Sequence, residues 1–163
     1  MIVRKATVED KDRIELAFKN ARTHMRNEGN VSQWAGEYPN FEDAKADIEK
    51  GQGFVVEDED RVQAYFALII GKDPTYSYIE DGKWLDDESM YGTIHRIASV
   101  GEKHGTFNSA VKYAFSLVDS VRIDTHKDNK TMLSLLEKLG FSRCGIIYVE
   151  DGTPREAFQK MNK

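Results

Sequence analysis

The sequence predicts a mixed α/β domain, α+β in the order of its elements, and three observations carry that prediction. Residues 91–141 read strand, polar glycine-containing loop, helix, strand, helix. Upstream, a short β-rich N-terminus is followed by two helices with cap signals and then a hairpin signature. Downstream, residues 142–161 return to β-rich segments on either side of an Asp151-Gly152 turn. No linker, repeat or low-complexity tract interrupts the chain, so residues 1–163 are expected to form a single domain.

In chain order, Ile2–Ala6 suits a short strand, and Thr7 with Asp10 behind it signals a helix start. Ile14, Ala17, Phe18, Ala21 and Met25 then mark one buried helix face, which Gly29-Asn30 ends. Asn40 and Asp43 repeat the cap ahead of a shorter helix that stops at Gly51. The aperiodic segment 31–39 between them is a candidate substrate cover; Trp34 either takes part in that or packs on the core, the commoner role for a lone tryptophan. Residues 53–57 and 62–70 form the two arms of the hairpin, and the second is apolar enough to be a central strand covered on both faces.

Residues 71–90 set Tyr76, Tyr78 and Trp84 among Glu80, Asp81, Asp86, Asp87 and Glu88. Two readings stand: a negative aromatic loop that attracts a cationic amine, with Tyr78 and Trp84 as contacts, or a solvated hairpin extension turning at Asp81-Gly82. A strand over Ile94–Ser99, a helix over Phe107–Val118, a strand over Val121–Thr125 and a helix ending before Gly140 follow. Residues 142–150 and 155–161 supply the closing strands.

Composition narrows the class. Hydrophobic residues make up 40% and charged residues 31% of 163 residues, ordinary for a globular protein. A net charge of −5 argues against a nucleic-acid partner. No apolar run approaches the roughly 20 residues of a membrane span, and the N-terminus lacks a secretory apolar region. One cysteine, Cys144, precludes an internal disulfide, and a cytoplasmic location is expected. His24, His95, His104 and His126 lack zinc-motif spacing, so no metal site is expected. Nucleophile-elbow, P-loop and Cys-x-x-Cys motifs are absent from the sequence.

The loop before the third helix points to an anion. Gly101 and Gly105 permit close backbone approach, the helix start contributes a positive dipole end, and Lys103 and His104 add donors. Downstream, Asp128-Asn129 offers a short polar side chain suited to an extended amide ligand. Together these suggest a phosphate-bearing cofactor.

The segment Asn129-Lys130-Thr131-Met132-Leu133-Ser134-Leu135-Leu136-Glu137-Lys138-Leu139-Gly140-Phe141 resembles, in register without gaps, the Asn-x-x-Ala-x-x-Leu-Tyr-Glu-Lys-Leu-Gly-Phe segment of the GNAT acyl-CoA-dependent N-acetyltransferases. The element order resembles theirs along nearly the whole chain. The resemblance implies a mixed, mostly antiparallel central sheet, flanked by helices, with splayed central strands that admit acetyl-CoA. Pantetheine would pair with Ile97, Ala98 and Ser99. The pyrophosphate would rest on His104, Gly105, Thr106, Phe107, Asn108 and Ser109, and Asn129 would contact the pantetheine arm. Phe107 stands where the family carries a phosphate-loop glycine, and Leu136 where many relatives carry a tyrosine that protonates the leaving thiolate. The alternation of a strand sets His95 opposite Arg96. His95 is then either a base facing the acceptor amine or a hydrogen-bonded core residue, and Tyr148 is a candidate replacement acid.

The expected function is transfer of an acetyl group from acetyl-CoA to a primary amine of a small molecule or peptide. The alternative is a CoA-binding or partner-binding module with weak turnover. Exposed strand edges make a homodimer an expected assembly.

Overall fold

Both capping boxes form: Thr7 with Asp10, and Asn40 with Asp43, each exchange side-chain and backbone bonds. They set the start of a 3-10 turn leading into α1 (Lys11–Asn27) and of α2 (Phe41–Glu49). The strands are β1 (Ile2–Lys5), β2 (Gly53–Asp58), β3 (Arg61–Ile70), β4 (Gly92–Ser99), β5 (Ser120–Thr125), β6 (Ser142–Tyr148) and β7 (Pro154–Met161). Two further helices, α3 (Thr106–Phe115) and α4 (Lys130–Lys138), flank β5 in sequence. The computed structural model describes residues 1–31 and 33–162.

The strands join in one sheet of order β1-β2-β3-β4-β5-β7-β6. Every ladder is antiparallel except β4 with β5. One face carries α3 and α4 over Phe54, Phe66, Leu68, Ile94, Val121, Ile123 and Phe158. On the other face α1 and α2 cover Val55, Tyr65 and Ala98. The β5–β6–β7 half of that face is covered by the loop after β3, whose Tyr76, Trp84 and Tyr91 pack on Ile147 and Ala157.

That loop is not the solvated hairpin extension of the sequence reading. Asp81 and Gly82 do turn, with φ of 58° and 151°, but the segment is pressed against β6. A Cβ at Gly82 would lie 1.9 Å from the Cys144 carbonyl oxygen, so only glycine fits the approach. The loop is clamped by Arg122, fully buried on β5 between the Trp84 and Tyr91 rings at 3.9 and 3.8 Å. Its Nη2 donates to the Asp86 carbonyl and the Asp87 carboxylate, each at 2.9 Å. Tyr76, Trp84 and Tyr91 are therefore core, whereas Tyr78 stays exposed. Of the acidic residues, Asp87 closes the clamp, Asp86 caps the amides of Glu88 and Ser89, and Asp81 pairs with Arg143.

Candidate active site

The parallel pairing of β4 with β5 lasts for two positions, Gly92 with Val121 and Thr93 with Arg122. Beyond them the strands diverge, and the β4 edge that faces β5 has no ladder partner among the described residues. The gap opens a cleft of about 920 Å³. Its walls are Ile94–Ile97 of β4, Ile123–Thr125 of β5, Asn129 and Met132 at the start of α4, residues 72–75, and the β6–β7 connection with Arg155. Gln33, Trp34 and Tyr38 of the α1–α2 connection close one side.

A bulge reshapes the β4 wall. Tyr65 opposes Ala98 and Ala67 opposes His95, so Phe66 alone faces both Arg96 and Ile97. Arg96 adopts φ 51°, uncommon for a residue with a side chain. Its guanidinium is anchored on the Asp47 carboxylate of α2 at 2.6 and 3.0 Å, and Asp47 also accepts the Tyr65 hydroxyl at 2.6 Å. Strict alternation would have turned His95 and Arg96 to opposite faces; the bulge breaks the pleat, and both line the cleft.

His95 sits there with a carboxylate behind it. Its Nε2 lies 3.2 Å from Asp73 Oδ2, and the other Asp73 oxygen accepts the amide and hydroxyl of Thr75 at 2.9 and 2.7 Å. Burial alone would raise the Asp73 carboxyl, but the bonds from His95 and Thr75 outweigh it and hold the group at about 2. Asp124 of β5 is different: burial pushes its carboxyl up, against the pull of His95, and it accepts the Tyr76 hydroxyl at 2.6 Å. An ionised Asp73 holding Nε2–H leaves the histidine's Nδ1 as the acceptor, the arrangement of an oriented general base.

Outside the cleft lining, α3 starts after Gly105, which has φ 89° and open space where a Cβ would stand. Among the described residues no side chain caps this helix. The Phe107 ring turns into the core, 6.4 Å from that of Phe141, so it stays clear of the exposed loop 101–105. Lys103 does not face the loop's ligand side as expected; it pairs with Asp58 and Glu59 of the β2–β3 turn. Unsatisfied amides at an uncapped helix start and an unpaired strand edge suit a phosphate-bearing chain with amide groups.

The other expected site residues divide. Ile97 lines the cleft, whereas Ala98 packs under α1, and Ser99 accepts the Gly101 amide through its hydroxyl. Asn129 lines it too, but its Oδ1 caps α4 at Met132 and its Nδ2 donates to Gln33. Gln33, which the sequence reading passed over, also accepts the His126 amide at 3.1 Å and so straps the α1–α2 connection across the cleft. Trp34 lines the cleft and meets Phe18 edge-on. Trp84 is buried on Arg122, and Tyr78 and Tyr148 both bond Glu80 at the surface, outside the cleft lining. Leu136 is fully buried in the core. Among the described residues no cluster of His, Cys, Asp and Glu could hold a metal ion, and no helix is long and apolar enough to cross a membrane.

No family model and no curated protein matches the chain. Among solved structures, a GNAT-family acetyltransferase from Streptococcus agalactiae is 32% identical, with 99% of this chain and 95% of that one covered at a TM-score of 0.88. A GNAT-family acetyltransferase from Listeria monocytogenes is 18% identical over 98% and 94% of the two chains, with a TM-score of 0.68. A ribosomal-protein-alanine N-acetyltransferase from Brucella melitensis shares the fold at 18% identity, 99% coverage of each chain and a TM-score of 0.56.

Proposed function

We propose that this chain, which belongs to the GNAT family of acetyltransferases, moves an acetyl group from acetyl-CoA to the primary amine of a small molecule or peptide. The observation that carries the reading is the cleft at the β4–β5 divergence with His95, backed by Asp73, in its wall. Acetyl-CoA supplies an acyl group already activated as a thioester. The unpaired β4 edge and Asn129 are the groups that would hold its pantetheine arm, and the amides at the start of α3 its pyrophosphate.

The acceptor arrives as an ammonium and must lose a proton before it can attack. His95 takes that proton at Nδ1, while Asp73 keeps the ring in the required tautomer and stabilises the imidazolium that forms. Backbone N–H groups along the bulge and the free β4 edge are preorganised donors for developing negative charge on the carbonyl oxygen. With Leu136 buried, α4 brings no tyrosine hydroxyl to the leaving thiolate, which favours a slower turnover than a relative with tyrosine there.

Titration calorimetry with acetyl-CoA, CoA and pantetheine tests the reading. Micromolar binding of the first two that is lost with pantetheine supports the α3 cradle. Absence of acetyl-CoA binding would overturn the proposal and leave partner binding as the function.

A further inference from the structure

The cleft holds one buried cation whose two hydrogen bonds among the described residues go to neutral oxygens. Arg155, on β7, is 9% exposed and lines the cleft. Its Nη1 donates to Thr153 Oγ1 and the Pro154 carbonyl, at 3.0 and 2.8 Å. Among the described residues, a buried guanidinium served in this way still lacks a counter-charge at contact distance. Of the carboxylates nearby in sequence, Glu156 pairs with Arg143 and Asp151 accepts from the amide and hydroxyl of Thr153. Asp124 stands opposite Ala157 in the ladder, two residues from Arg155 and so on the same face, but it takes the Tyr76 hydroxyl.

The cleft therefore presents two unlike sets of groups. Arg155, with Lys72 also in the lining, offers positive charge. His95 and Asp73 offer a proton acceptor and a carboxylate that attracts an ammonium. Asp124 lies in the field of both sets, since its ionisation responds to His95 and to Arg155. A ligand that satisfies both sets carries a carboxylate and an amine close together. A peptide amine has an amide carbonyl where the carboxylate would be and would leave the guanidinium without an anion.

We propose that the acceptor is a free amino acid, its carboxylate docked on Arg155 and its amine presented to His95 and Asp73. This rests on the acetyl-transfer reading above and names its substrate class.

The test incubates the purified protein with acetyl-CoA and one of two acceptor pools, the proteinogenic amino acids or the amines formed by their decarboxylation. Acetylated products are counted by mass spectrometry. The amino-acid pool is expected to give at least about tenfold more product, because a site built around a polar group of its substrate rejects the analogue lacking it. Arg155→Met should collapse that ratio toward one, and Arg155→Lys should keep part of it. Equal or greater labelling of the amine pool overturns the inference. So does an Arg155→Met variant, folded by its melting curve, that lowers both pools alike, because the arginine would then serve only the β6–β7 turn. Labelling of neither pool by a protein that binds acetyl-CoA also overturns it. Failure to bind acetyl-CoA at all instead removes the acetyl-transfer reading beneath it.

Discussion

Asp47→Ala probes how the bulge in β4 is held. The Asp47 side chain is 7% exposed and receives two bonds from Arg96 and one from the Tyr65 hydroxyl. Removing one member of a buried ion pair costs about 3–5 kcal/mol, because the other is left charged without a partner. The Arg96 side chain is 21% exposed and regains some water, which points to the lower end, about 3 kcal/mol. For a chain of this length that corresponds to a melting temperature lowered by about 6–12 °C. Adding Arg96→Gly to the same variant removes the orphaned guanidinium and relieves the φ of 51°, a strain of about 1 kcal/mol. The double variant should therefore melt above Asp47→Ala. Thermal denaturation followed by circular dichroism measures all of these. Asp47→Ala melting within about 2 °C of the parent, or a double variant at the sum of the single losses, would refute the reasoning.

Acid should act through Asp73. Its folded carboxyl, held at about 2, lies below the ordinary value of 3.8, so the stability it contributes is present above pH 4 and is lost as pH falls from about 4 to 2. That contribution is about 2 kcal/mol, and Asp73→Asn should flatten this part of the parent's melting-temperature profile. Phe107→Gly, which restores the residue typical of the family, should cost about 3–5 kcal/mol through the lost core ring and leave acetyl-CoA affinity no better, read by melting and calorimetry. A gain in affinity would show that the ring, and not the core, governs the loop.

Much of the architecture was legible because it rests on local chemistry. Thr7 and Asn40 cap as read, and the segment from Asn129 to Phe141 forms α4 and its exit. The expected splay is present as a ladder that ends after Thr93. What escaped depends on contacts distant in sequence. His95 meets Asp73 across 22 positions, and Arg96 meets Asp47 across 49, so no periodicity reports either pair. The bulge also defeats the alternation rule at the residue where it was applied. Trp84 and its acidic neighbours looked like a ligand surface because composition does not reveal a buried arginine on a strand 38 residues away. Phe107 looked like an obstruction because a family position was read without its direction, which is into the core.

The central claim is that His95 removes the acceptor's proton while other groups hold acetyl-CoA. Its most direct test compares His95→Gln with the parent in two assays: acetyl-CoA affinity by calorimetry, and kcat/KM for the best acceptor by thiol release. The account predicts affinity within about twofold and kcat/KM lower by about 10²–10⁴, the range of a general base. Unchanged kcat/KM, or a loss of acetyl-CoA affinity that matches the loss of turnover, would contradict it.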